Sequence, residues 1–374
     1  MAAETYPHPM AGDIHALCAA LGSEPLFHLS LQSKELFHSN FVGWLCESHP
    51  QVGADVFGRW VSRRPEATTL RVQRERSHLD LAIELPGLTP FVLENKVFAP
   101  PDESQLDNYA AGKLAGLARP ELLLLSLGRP RWDDGTYECA SGELWRYLSY
   151  RDLADALEPA AAALATRSFD RQLVEHYCAL IRLLDDLAQT VGMVASDEPI
   201  DVPATIKLVL QQNRLHDAVG KLRARHAIAA ASARTGPALE GREVRWEASF
   251  TRSHALTAAF IRHSDTDWLG WQYQEGQWRV VVITSMHQGK TPELRARRHA
   301  YVADRYGAWF AFDAIPTVTG RSIDKVPPTE ARGAFNNFDP DFVYRYRQMK
   351  DVTLSELVAL SDHYLRAAAE WAST

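Results

Sequence analysis

Two carboxylates and an ammonium, Asp80, Glu94 and Lys96, carry the clearest chemical pattern in the chain. Glu94 and Lys96 stand two residues apart in Phe91-Val92-Leu93-Glu94-Asn95-Lys96-Val97. Successive side chains of a strand alternate faces, so both project to one side. Pro86-Gly87-Leu88-Thr89 separates the apolar runs 79–85 and 90–98 and reads as a hairpin turn. An odd-numbered loop centred on Gly87 or Leu88 brings Asp80 opposite Glu94 or Lys96 on the same face, whereas an even loop separates them. The site therefore carries a register prediction.

Such a set suits hydrolysis of a phosphodiester, which needs a divalent ion to offset phosphate charge, an oriented water and a nearby cation. Mg²⁺ prefers carboxylate and carbonyl oxygens, and Mn²⁺ is the alternative ion. Asp80 and Glu94 supply two carboxylates, the backbone carbonyl of Asn95 a third ligand, and Lys96 the cation that orients the water. Without an ion the carboxylates repel, so at high pH the metal-free protein is expected to be less stable than the loaded one.

The flanking pattern predicts the elements that hold these residues. Helices are expected over 13–21, 33–47 and 53–62, the second with Ser33 as N-cap and Leu36, Phe37, Phe41, Trp44 and Leu45 at helical spacing. Strands over 69–76, 79–85 and 90–98 form a meander. Pro100-Pro101-Asp102 signals a helix over 102–117 with Gln105 and Tyr109 four residues apart on one face. The apolar run 121–127 reads as a strand buried on both faces, 144–148 as a further strand, and 151–166 and 169–191 as helices. The class is α/β, a mixed sheet flanked by helices over residues 1–195. A linker at 195–203 leads to an α+β domain over 204–374. There we expect a long helix over 204–235, β-rich stretches over 245–261 and 268–285 with a hairpin at Gly276, a basic helix over 292–306, an apolar strand over 308–314 and a terminal helix over 354–371.

These residues resemble the PD-(D/E)XK nuclease superfamily, the restriction-endonuclease-like group. The likeness rests on Asp80, Glu94-Asn95-Lys96 and the helix bearing Gln105-Leu106-Asp107-Asn108-Tyr109. It extends to Lys34-Glu35-Leu36-Phe37-His38-Ser39-Asn40-Phe41 and Leu148-Ser149-Tyr150-Arg151-Asp152-Leu153, similar to segments of a bacterial branch, and covers about residues 30–190. Leu79 stands where the name's proline would be. The resemblance implies a restriction-endonuclease-like fold, metal binding by Asp80, Glu94 and the helical Glu35, catalysis by Lys96, and Gln105 and Tyr109 supporting the site or touching the nucleic-acid backbone. It further implies a Mg²⁺- or Mn²⁺-dependent nuclease acting on DNA in preference to RNA, with a role in defence against foreign DNA. The alternative is a catalytically inactive nuclease-fold protein that binds nucleic acid or regulates.

At 374 residues, 46% hydrophobic and 23% charged, the chain suits two globular domains. The net charge of −7 is uneven. Residues 1–200 hold 17 Lys and Arg against 28 Asp and Glu, residues 201–374 hold 23 against 19, so overall charge does not advertise a nucleic-acid partner, and any basic binding surface is expected to draw on the second half. Arg74 and Arg76 could bind phosphate or guard a strand edge. The helix with Arg297 and Arg298, beside Lys290, Arg295, Arg305 and aromatics Tyr301, Tyr306 and Trp309, could hold a phosphate backbone or be a solvated face. Trp246, Trp268, Trp271 and Trp278 could stack bases or form core, and His287 reads as structural. The second domain is a candidate for substrate selection, sensing or homodimer formation. Cys18, Cys46, Cys139 and Cys178 have no paired spacing, no run has the length of a membrane span and no export leader is evident, so a cytoplasmic protein without a membrane partner is expected.

Overall fold

The computed structural model describes residues 13–30, 34–64, 69–76, 79–97, 103–112, 119–130, 132–166, 168–192, 194–251, 254–323, 326–331, 333–338 and 340–371. The chain divides into two compact units, Met1–Val191 with Val209–Leu215, and Gly192–Leu208 with His216–Thr374. The architecture is mixed α/β with two six-stranded sheets. Among the described residues no helix is long and apolar enough to cross a membrane. All four cysteines are buried free thiols.

The first unit runs through Ile14–Ser23 (α1), Pro25–Ser30 (α2), Lys34–Ser48 (α3), Pro50–Phe57 (α4), Arg71–Arg76 (β1), Leu79–Glu84 (β2), Phe91–Lys96 (β3), Glu103–Gly112 (α5), Glu121–Ser126 (β4), Thr136–Glu138 (β5), Leu144–Ser149 (β6), Tyr150–Ala161 (α6) and Phe169–Val191 (α7). Its sheet has the order β1-β2-β3-β4-β6-β5. The meander β1-β2-β3 is antiparallel, while β3, β4 and β6 are parallel. Parallel neighbours need a crossover, and α5 lies on the one between β3 and β4. β4 is buried from Leu122 to Ser126, as its apolar run requires. Ser149 and Asp152 form a capping box, so β6 passes directly into α6 with Tyr150 at its first position.

The hairpin between β2 and β3 pairs Leu81 with Leu93, Ala82 with Val92 and Ile83 with Phe91. That register is odd and centred on Gly87, whose φ of 79° is one that residues with a side chain rarely adopt. Continuing it by one residue sets Asp80 opposite Glu94. Ser33, Phe98 and Pro100-Pro101-Asp102 lie outside the described residues, as does 113–117 of the expected helix.

The remaining elements are Ala204–Gln212 (α8), His216–Thr235 (α9), Val244–Thr251 (β7), His254–Arg262 (β8), Asp267–Gln274 (β9), Gln277–Thr284 (β10), Pro292–Tyr306 (α10), Ala314–Thr319 (α11), Pro328–Ala331 (α12), Asn336–Phe338 (β11), Phe342–Gln348 (β12) and Leu354–Trp371 (α13). The second sheet is antiparallel, in the order β11-β12-β10-β9-β8-β7.

Several expectations are corrected here. The helix over 204–235 is interrupted at 213–215, where Arg214 takes a φ of 55° and the Leu215 N–H donates to Leu210 O. Residues 308–314 form no strand. Gly307–Phe310 is a 3-10 turn, because Trp309 turns into the core and donates its Nε1–H to Val281 O. The stretch 195–203 is no loose linker: Ile200 is buried and its N–H donates to Val352 O, while Glu198 O accepts from the Leu354 N–H.

Candidate functional site

At the end of the β2-β3 hairpin the backbone N–H of Asn95 donates to Asp80 Oδ2 at 2.7 Å, fastening that carboxylate to β3. Glu94 is 1% exposed. Its Oε1 meets Lys96 Nζ at 2.9 Å, and its Oε2 is buried with no hydrogen-bond partner. Burial, then the charge of Asp80, pushes the Glu94 carboxyl up to about 7, against the pull of Lys96 and of the Asp80 backbone N–H, which approaches the carboxyl without a well-formed hydrogen bond to Oε2. Burial also raises Asp80, opposed by the Asn95 N–H and Lys96 and reinforced by Glu35 and Glu75. Burial alone would lower the Lys96 ammonium, but the carboxylates of Glu94, Glu35 and Asp80 outweigh it and its pKa is raised. Lys96 therefore stays protonated and can orient or pair with an anion, not take a proton.

Glu35, at the start of α3, acts electrostatically on both Asp80 and Lys96. It does not complete a cluster: among the described residues no three His, Cys, Asp or Glu side chains converge to hold a metal. The carboxylates that the site could offer a divalent ion remain Asp80 and Glu94, with the charge of Asp80 acting on Glu94. The unpartnered Glu94 Oε2 is an oxygen that such an ion would fit, since a buried acceptor without a donor is costly. On the neighbouring α5, Gln105 Nε2 donates to the Tyr109 hydroxyl. Burial and then the charge of Glu94 raise the pKa of Tyr109, which places the phenol within electrostatic reach of the site.

Asn95 alternates to the other face of β3 and is fully buried. Its Nδ2 donates to Glu35 O at 2.8 Å and to Ser39 Oγ at 3.3 Å, and its Oδ1 accepts from the Tyr150 hydroxyl. Beyond Tyr150, the edge of His38 meets that ring at 5.1 Å between centroids, and His38 Nδ1 pairs with the Tyr177 hydroxyl at 3.0 Å. Burial lowers the His38 imidazole to about 3, so it is neutral. One side-chain amide thus ties the chemistry-bearing strand to α3 and α6. Sequence reasoning assigned Asn95 a carbonyl ligand role and gave Ser39, Tyr150 and Tyr177 none. The available signal was a polar amide inside an apolar strand, whose donors and acceptor demand partners.

The basic residues fare unevenly. Arg74 donates to both carboxylate oxygens of Glu47, at 2.8 and 2.7 Å, and lies against Gly43 rather than with the Asp80 group. The side chain of Arg76 lies outside those described. Arg297 is exposed, but Arg298 is fully buried and its Nη1 donates to the carbonyls of His287, Gly289 and Pro340. Arg298 is therefore a fastener of turns and not a phosphate ligand, which corrects the expectation made for it. Trp271 and Trp278 stack at 4.8 Å in the core, out of reach of any base.

Compared with protein-family models, with curated proteins and with solved structures, the chain matches none.

Proposed function

We propose that the first unit is a metal-dependent nuclease of the PD-(D/E)XK type, hydrolysing phosphodiester bonds of DNA in preference to RNA. The observation that carries the reading is the Glu94 carboxylate, buried beside Asp80, bound to Lys96 through one oxygen and unpartnered at the other. A merely structural ion pair has no need of a second, half-buried acid beside it or of an orphaned oxygen. Asp80 and Glu94 would hold Mg²⁺ or Mn²⁺, which supplies positive charge against the phosphate and acidifies a neighbouring water.

The chain's own groups do the rest. Lys96, kept protonated by the surrounding carboxylates, orients the water or meets a phosphate oxygen. The Asn95 N–H holds the Asp80 carboxylate in place, and the Asn95 amide fixes the strand end that carries Glu94 and Lys96. On α5 the half-buried Gln105 holds the hydroxyl of Tyr109, whose ring is buried in the core, so the pair supports the site rather than meeting a nucleic-acid backbone. A role against foreign DNA rests on the sequence resemblance alone.

The test is incubation with supercoiled plasmid, linear duplex, single-stranded DNA and RNA, with Mg²⁺, Mn²⁺ or chelator. Cleavage is expected with an ion, and is expected to vanish in chelator and in Asp80→Ala and Lys96→Ala. An absence of cleavage on every substrate, with no ion binding by calorimetry, would sink the reading.

A further inference from the structure

The second unit's sheet has two unlike faces. One buries Trp271, Trp278, Val280 and Val343 in the large core. On the other, Ala258, Phe260, Trp268 and Val281 form a small cluster flanked by Ile283, Phe342 and Tyr344, every member drawn from the sheet's own strands. Strand pairing sets Trp268, Ile283, Phe342 and Phe338 in one row across β9, β10, β12 and β11, and Phe338 is 74% exposed. Along β12, Phe342, Tyr344 and Tyr346 recur at the two-residue strand period, with ring centroids 5.8 and 6.4 Å apart. Two guanidiniums lie on these rings: Arg245 at 3.9 Å from Trp268 and Arg279 at 4.9 Å from Tyr344. Arg279 donates to the amide oxygens of Gln272, Gln274 and Gln277.

We propose that this face binds single-stranded nucleic acid, with bases stacking on Phe342, Tyr344 and Tyr346 and phosphates meeting Arg279. It deepens the nuclease reading, on which it rests for its purpose, by naming the form of nucleic acid. Every base has a π-face, so a row of rings takes unpaired bases of any sequence, while a duplex keeps its bases stacked inside and offers none to it. Arg279 adds a cation beside the rings, complementary to a polyanion, whereas Arg245 on the same face is offset by its neighbour Glu247, opposite Ala258. A second copy docking by two-fold symmetry would cover this face with itself, and the oligomeric state of the parent and of Tyr346→Ala separates that outcome from nucleic-acid binding.

Fluorescence anisotropy of the full chain in chelator, where no ion-dependent cleavage intervenes, tests this with labelled 20-mers of dT and of U and a duplex of equal length. Single strands are expected to bind at least tenfold tighter than duplex, with affinity falling as salt rises. Tyr344→Ala with Tyr346→Ala is expected to lose at least tenfold; Arg279→Gln, a milder change that keeps the rings, is expected to weaken binding and flatten the salt dependence. Equal binding by parent and variants, or duplex bound as tightly as single strand, overturns the proposal. So does a dimer that Tyr346→Ala converts to monomer with no change in affinity for either 20-mer. Binding without ion-dependent cleavage leaves this proposal standing and removes the nuclease reading; cleavage untouched by the face variants, with no single-strand preference, does the reverse.

Discussion

Lys96 Nζ lies 2.9 Å from Glu94 Oε1, two residues away on one face of β3, while Glu94 Oε2 has no partner. The contact leaves the two residues separable by experiment. Lys96→Met keeps both carboxylates and is expected to bind Mn²⁺ within about tenfold of the parent while cleavage falls by about 10²–10³, the range found when one preorganised cation or donor is removed. Glu94→Gln is expected to lose ion binding and cleavage together. Calorimetry beside single-turnover cleavage reads both, and equal loss of ion binding in the two variants contradicts the division of roles.

The metal-free protein should show two opposing proton linkages. Glu94 is raised from 4.5 to about 7, so its contribution to stability is full below about 4.5 and is lost as pH rises toward 7. His38 is lowered from 6.5 to about 3, so the unfolded chain binds the extra proton and stability falls as pH drops below 6.5. Each has a slope of about 1.4 kcal/mol per pH unit where only one state is protonated. Between about 4.5 and 6.5 the two cancel, although Asp80, also raised, adds to the Glu94 direction. In chelator, Glu94→Gln is expected to uncover the His38 linkage and grow less stable with acid relative to the parent. Parallel urea midpoints for the two proteins across that range would show that Glu94 does not titrate as its burial requires.

Much of the site was legible because its signals are local. Pro86 and Gly87 mark the turn and the two-residue spacing of Glu94 and Lys96 sets a face, but sequence leaves the register open between centres at Gly87 and Leu88 and an even loop, and the observed pairing decides it for Gly87. The partners of Asn95 were not legible, since Ser39 and Tyr150 stand 56 and 55 residues away and meet it only through packing. β12 was missed for another reason. Its inward positions include Arg345 and Arg347, whose guanidiniums lie 4.5 Å from Phe335 and 4.1 Å from Phe312, so the apolar alternation that marks a strand is broken by cations. Arg298 reads as one more charge on a basic helix because the carbonyls that bury it come from turns at 287, 289 and 340.

Tyr150→Phe removes only the hydroxyl that donates to Asn95 Oδ1 and leaves that buried acceptor short of a donor. The expected cost is about 1–3 kcal/mol by urea denaturation. Asn95→Ala should cost more, since it releases α3 and α6 together, and Asn95→Ala with Tyr150→Phe should cost less than the two singles summed because they share one bond. Strict additivity in that cycle would mean that the Tyr150 hydroxyl and the Asn95 amide are not coupled.

Gly220, inside α9, has a role that its position in the helix hides. A Cβ there would stand 2.1 Å from Phe250 Cε2 and 2.2 Å from Cδ2, so the ring of β7 occupies the space a side chain would take. Glycine lowers helix propensity by about 1 kcal/mol relative to alanine, so on an open helix Gly220→Ala would stabilise. Here overpacking opposes that gain and is expected to win, destabilising by about 1–3 kcal/mol. The sign reads out in thermal or urea unfolding. Phe250→Leu, which withdraws the ring, should cut the penalty of the alanine when the two are combined. A Gly220→Ala protein more stable than its parent would show that the helix and the ring can part without cost.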